Sequence, residues 1–188
     1  MALVTTDLPA RFLDLRVESK AALRRTCSSA SAGMNLGDIL SPAQIIPDLT
    51  AKDRWAAIEE MIALLVSAGK VRAEAREPLV AAVRKRESSM STGIGFGIGI
   101  PHASTDLVSD LTAVFARSRS GVEFDALDSQ PVHLVTLLLV PQGQFQKHLH
   151  TLAGIAKVQR KDDFLRALDA APDADAILKV IRDHSAVR

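Results

Sequence analysis

Apolar residues recur at helical spacing from Trp55 through Ile58, Met61, Ile62 and Leu65, and the run stops at Gly69. This spacing predicts an amphipathic helix of about four to five turns. Ahead of it, Thr50-Ala51-Lys52-Asp53 resembles a capping box with Asp in place of Glu or Gln. A second helix is predicted with Pro78 in its first turn and the cluster Arg84-Lys85-Arg86 at its end, where positive charge complements the exposed carbonyls. From Ser91 the period changes to two. Ile94, Phe96, Ile98 and Ile100 alternate with four glycines up to Pro101-His102, which reads as a strand with one packed face and one face of bare, closely approached backbone. Residues 111–115 and 132–140 read as further strands, the latter continuously apolar and so central and covered on both faces. Residues 121–131 between them read as a short strand and turn. Leu149, Leu152 and Ala156, then Phe164, Leu165 and Leu168, then Ile177, Val180 and Ile181 mark three helical stripes. The order predicts an α/β domain, a mixed sheet with helices packed upon it.

Residues 1–33 break from this patterning. They hold Thr5-Thr6-Asp7, the basic pair Arg24-Arg25 and the small-residue run from Cys27 to Gly33, and they read as a flexible N-terminal extension. Arg and Ser enrichment suggests a transit peptide, but Asp7, Asp14 and Glu18 oppose one, and Met34 offers an alternative start before Asn35-Leu36-Gly37. The domain is expected to occupy residues 34–188.

The 188 residues are 47% hydrophobic and 24% charged, enough to bury one sizeable core. With 23 Lys and Arg against 22 Asp and Glu, the chain lacks the basic excess that drives counterion release, so no nucleic-acid partner is expected. Cys27 is the single cysteine and no basic-then-apolar leader opens the chain, which fits a reducing, cytoplasmic setting. The longest apolar run falls far short of the roughly 20 residues of a membrane helix, so no membrane insertion is expected.

The glycine run matches neither common phosphate loop. Gly93 and Gly95 lack a third glycine at position 98, and no Gly-Lys-Ser/Thr follows. Pro101 removes a ladder donor, so His102 is expected in a turn at a sheet edge or end, fixed beside bare backbone. A neutral imidazole there suits attack on phosphorus, because its unprotonated nitrogen needs no separate base. His148 and His150 point about 200° apart on a helix, so they do not form a shared metal site, and no recognised ligand spacing for a metal occurs. Asp125 and Asp128 precede turn residues and read as turn caps; His133 and His184 read as bystanders.

Several segments together resemble a known family. These are Arg86-Glu87 followed by Ser91-Thr92-Gly93-Ile94-Gly95, then Gly99-Ile100-Pro101-His102, Phe124-Asp125-Ala126-Leu127-Asp128 with Gln130-Pro131-Val132, Leu137-Leu138-Leu139-Val140-Pro141, and His148-Leu149-His150-Thr151-Leu152. They resemble the type-2 enzyme IIA domains of the phosphoenolpyruvate-dependent phosphotransferase system, the fructose/mannitol class, and within it the nitrogen-regulatory type. The resemblance covers about residues 35–183. It implies a three-layer sandwich, with helices on both faces of the mixed sheet, and a phosphoacceptor histidine at His102 with His148 and Arg86 beside it. It implies no cofactor and no metal. The implied donor is an HPr-like histidine phosphocarrier, and the implied targets are regulated proteins such as sensor kinases or potassium-transport components.

Family members commonly place Asn where Phe96 stands and Gly where Ala103 stands. Phe96 cannot supply a side-chain hydrogen bond, and Ala103 would resist a positive φ. Two alternatives stand beside the nitrogen-type phosphocarrier. One is a fructose- or mannitol-type IIA that passes phosphate to a sugar-specific IIB; the other is a non-enzymatic protein-binding module. The length leaves no room for a fused phosphocarrier, IIB or transporter domain, which favours the regulatory type by association only.

Overall fold

The computed structural model describes residues 35–185, excluding the side chains of Lys147 and His150; the extension assigned to residues 1–33 lies outside the described residues. A mixed sheet organises them. Its longest strands, β5 (Thr112–Val122) and β6 (Val132–Pro141), pair antiparallel, with Phe115 opposite Thr136. β1 (Ile45–Ile46) adds in parallel to the outer edge of β5. The other edge of β6 is shared by two short strands laid end to end: β3 (Ile98–Gly99) against Leu134 and Val135, and β4 (His102–Thr105) against Leu138 to Pro141, both parallel. β2 (Gly93–Gly95) closes the sheet by pairing antiparallel with β3. β6 is thus central and almost wholly buried, as its unbroken apolar run requires.

The alternation along β5 and β6 sends side chains into two separate cores. Val114, Ala116, Leu137 and Leu139 face α2 (Arg54–Ser67) and α3 (Arg76–Ser89), while Ala113, Phe115, Leu134 and Leu138 face the other helices. That second layer holds α1 (Leu36–Ile39), α4 (Phe145–Gln159), α5 (Asp162–Ala170) and α6 (Ala174–Ser185). Helices therefore cover both faces, as the three-layer expectation has it.

Local chemistry departs from the sequence reading in two places. The cap of α2 is Asp53 itself, whose Oδ1 accepts from the amides of Trp55 and Ala56 at 2.8 and 3.0 Å. Thr50 instead bonds Glu60. The glycine run is not one strand but a hairpin. Phe96 and Gly97 form the two-residue turn between β2 and β3, with φ of 58° and 71°, the sign pattern of a type I′ turn. The bare glycine face is approached by the chain itself, since a Cβ on Gly93 would meet Ala126 at 2.8 Å.

An aromatic residue at φ 58° is strained by roughly 1–3 kcal/mol. Asn tolerates this conformation better than an aromatic residue does. Ala103 lies inside β4 and does not have positive φ, so a Cβ there meets no conformational objection. Phe96 recovers part of its strain by lying 3.9 Å beneath the Arg160 guanidinium, an exposed cation–π contact worth about 0.5–1 kcal/mol. Strain exceeds this gain. Phe96→Asn is accordingly expected to raise the urea midpoint by an amount equivalent to about 1 kcal/mol; a lowered midpoint would show that the Arg160 contact outweighs the strain.

Candidate functional site

His102 opens β4 at the point where the outer edge of β6 passes from β3 to β4. Pro101 interrupts the ladder for one position only, because its carbonyl still accepts from the Leu138 amide at 2.9 Å. The expectation of an exposed turn is therefore corrected: His102 is half-buried, the first residue of a strand, in register with Leu138 and on the face that carries α4. A proline removes a donor but not an acceptor, and in this ladder only the acceptor is needed.

The imidazole is held in one orientation. Nδ1 lies 2.9 Å from the Ile100 carbonyl oxygen. A carbonyl only accepts, so Nδ1 carries the hydrogen and the neutral ring presents its lone pair at Nε2. Phe145, the first residue of α4, stacks on the ring with centroids 5.7 Å apart and planes 23° from parallel. Burial lowers the His102 pKa below its ordinary value, and the positive charge of Arg86 pushes the same way; the Ile100 hydrogen bond and Glu87 act in opposition. The net effect keeps the ring neutral and nucleophilic at neutral pH.

Arg86 lies in the last turn of α3 and lines a cavity of about 310 Å³ together with His102. Its guanidinium donates to the carbonyl of Met90 at 2.9 Å, which ties off the helix end and leaves further N–H donors for an anion. The opposite wall comes from α4, through Leu152 and Ala156. His148 is four residues before Leu152 and three after Phe145, so it occupies the same stripe of α4 between a residue that stacks on His102 and residues that line the cavity. It is buried, and it lies in the first turn of the helix, near its positive end. His102 and Arg86 thus come from β4 and α3 to one cavity, and His148 lies on the stripe of α4 that lines it. The expectation for His150 lies outside the described side chains.

Other candidates resolve into scaffolding. Asp128 accepts from the amides of Phe96 and Gln130, bonds that hold its carboxyl below the usual range, and Asp125 pairs with Arg54 at 3.2 Å. His133 donates through Nδ1 to the Ser118 carbonyl; His184, in α6, packs edge-on against Phe164 of α5. Phe145 and Glu87 were missed as parts of the site. Phe145 stands four residues before Leu149 and seven before Leu152, the helical spacing that could have marked it; Glu87 directly follows three basic residues at a helix end.

Met90 and Leu127 flank the cavity mouth and are 68% and 79% exposed. A wet, apolar rim around a nucleophile and a fixed cation suits a partner surface that brings an anionic group to His102. Among the described residues, no helix is long and apolar enough to cross a membrane.

Residues 38–184 match the family described as phosphoenolpyruvate-dependent sugar phosphotransferase system, EIIA 2. A fructose-specific EIIA component of Haloferax volcanii is 39% identical over 80% of this chain and 98% of its own length. A nitrogen regulatory protein of Bradyrhizobium diazoefficiens is 32% identical over 79% of this chain and 95% of its own. The chain spans only 24% of the fructose-specific EIIABC component of Bacillus subtilis, to which it is 34% identical. The crystal structure of nitrogen regulatory protein IIA-Ntr from Neisseria meningitidis superposes with a TM-score of 0.69 at 29% identity, covering 77% of this chain and 97% of that one. The chain belongs to the EIIA 2 family of the phosphoenolpyruvate-dependent phosphotransferase system, with nitrogen regulatory proteins among its homologues.

Proposed function

We propose that this chain is a phosphohistidine carrier of the nitrogen-related branch, which accepts a phosphoryl group on His102 from an HPr-like phosphocarrier and regulates partner proteins by its phosphorylation state. The observation that carries this reading is the hydrogen bond from Nδ1 of His102 to Ile100, which leaves Nε2 as the nucleophile in a cavity shared with Arg86. In the step itself, the Nε2 lone pair forms a bond to phosphorus as the donor's N–P bond breaks, and the electron pair returns to the donor ring. Little covalent help is needed; positioning and neutralisation of the phosphoryl oxygens dominate.

Arg86 supplies the neutralising fork. Arg86→Ala is expected to slow phosphoryl acceptance by about a hundredfold, on the scale of one lost transition-state donor. Arg86→Lys recovers only part of that, since an ammonium is a point charge. Equal rates for wild type and Arg86→Ala would reduce the arginine to the helix-end tie it makes with Met90.

The experiment for the whole reading is incubation with phosphoenolpyruvate, enzyme I and a candidate phosphocarrier, followed by mass measurement. A gain of one phosphoryl group supports a carrier; no gain with any carrier supports the protein-binding module. The 39% identity to a fructose-specific EIIA of matching length favours a second reading, in which the phosphoryl group passes to a sugar-specific IIB. Onward transfer to such a IIB separates the two.

A further inference from the structure

Phe145 is a half-buried aromatic residue that belongs to neither core, so the packing of the fold does not account for it. Its ring lies instead against the imidazole of His102, near-parallel, with planes 23° and centroids 5.7 Å apart. The turn that delivers it is tied to the strand that carries His102. The Gln142 amide donates to the carbonyl of Thr105, the last residue of β4, at 2.8 Å; Gly143 supplies a φ of 78°; and the Gln144 amide donates to the Pro141 carbonyl at 3.1 Å. Strand and helix start are thereby held together, and the stack is in place before any partner arrives.

Phosphoryl transfer between two histidines exchanges one N–P bond for another. The donor's bond breaks as phosphorus bonds to Nε2 of His102, and the electron pair returns to the donor ring, which becomes neutral. His102 keeps its hydrogen on Nδ1, where the Ile100 carbonyl accepts it, so its own ring becomes the cation. The equilibrium then turns on which protein better holds a phosphorylated imidazolium. The face of a phenyl ring is negative and attracts a cation within about 6 Å of its centroid. An aliphatic side chain of similar bulk excludes water equally well but has no such face.

We propose that the ring face of Phe145 stabilises the phosphorylated imidazolium of His102 and so sets how strongly this chain retains its phosphoryl group. This rests on the reading of His102 as the phosphoacceptor. The two charges of the phosphorylated side chain are then met by different groups: Arg86, in the shared cavity, by the phosphoryl oxygens, and Phe145 by the ring. A carboxylate in the place of Phe145 would also hold the ring charge, but it would repel the phosphoryl oxygens and compete for Arg86. The other groups that act on the ring are Arg86, which disfavours its charge, and Glu87, which favours it, both from α3. His148 stands three residues from Phe145 in α4, and the partner of His102 across β6 is the apolar Leu138.

The test compares wild type, Phe145→Leu, Phe145→Trp and a chain with pentafluorophenylalanine at position 145, whose ring keeps nearly the same shape but has an electron-poor face. Two quantities are read: the titration of His102 by NMR without phosphate, and the equilibrium share of phosphoryl group between this chain and an HPr-like phosphocarrier, by mass measurement. Phe145→Leu is expected to move the His102 titration to lower pH and to shift the equilibrium about three- to tenfold toward the phosphocarrier, the scale of one cation–π contact. The fluorinated chain should shift both in the same direction, and Phe145→Trp should match or exceed the wild type. A folded fluorinated chain with the wild-type equilibrium overturns the proposal and leaves Phe145 as apolar cover for the ring, as does a Phe145→Leu protein that is folded and unchanged in both quantities. Should Phe145→Leu unfold, the fluorinated chain decides alone. No phosphoryl uptake by the wild type from any phosphocarrier would overturn the carrier function instead, and the titration, which needs no phosphate, would still decide whether Phe145 holds ring charge.

Discussion

His102→Ala is expected to yield a folded protein that takes up no phosphoryl group from phosphoenolpyruvate, enzyme I and an HPr-like carrier. The ladder between β4 and β6 is made by backbone groups and survives the change, as does the bond from the Pro101 carbonyl to the Leu138 amide. What is lost in stability is the stack on Phe145, about 0.5–1.5 kcal/mol. Because the side chain is half-buried against α4, a small fall in melting temperature is expected, not the silence of an exposed turn. The pH dependence of acceptance carries a sign. The attacking Nε2 must be unprotonated, and burial lowers the His102 pKa, so the rate should hold on acidification past the titration of free histidine at about 6.5 and fall only below it. Acid-labile phosphate on the His102→Ala protein would sink the assignment, and a rate that already falls above pH 6.5 would contradict the seat described for the ring.

His148→Ala is expected to impair phosphoryl exchange with the phosphocarrier by about ten- to a thousandfold, the range for removal of one donor aimed at developing charge. His148 lies in the first turn of α4, where the positive end of the helix favours an incoming anion. A neutral imidazole still donates one hydrogen bond, so His148→Gln should recover part of the rate. Exchange rates of His148→Ala and His150→Ala, each checked for folding by circular dichroism, provide the comparison. A damaged His150→Ala beside a normal His148→Ala would displace the site by two positions along the helix.

The helices and central strands are legible in the sequence because their apolar periods are long: the stripe from Trp55 to Leu65 becomes α2, and the run from 132 to 140 becomes β6 within one residue at its end. The glycine segment is not. Alternation over eight residues reads alike for one strand and for two short strands folded back on each other, and the usual turn signal, Asn or Asp before Gly, is replaced by Phe96. His102 and Arg86 stand in motifs where their chemistry shows. The contact between Phe145 and His102 does not, because it depends on how α4 docks against β4.

The ring stacked on His102 also has a magnetic consequence. Circulating electrons in Phe145 generate a local field at its neighbour, so the carbon-bound ring protons of His102 should resonate away from the positions of a free histidine. Phosphorylation at Nε2 changes the charge and tilt of the imidazole under that field, and the displaced signals would then move without any label having been introduced. The first residue of α4 thus supplies a spectroscopic marker by which phosphorylation of His102, if it occurs as proposed, would be read.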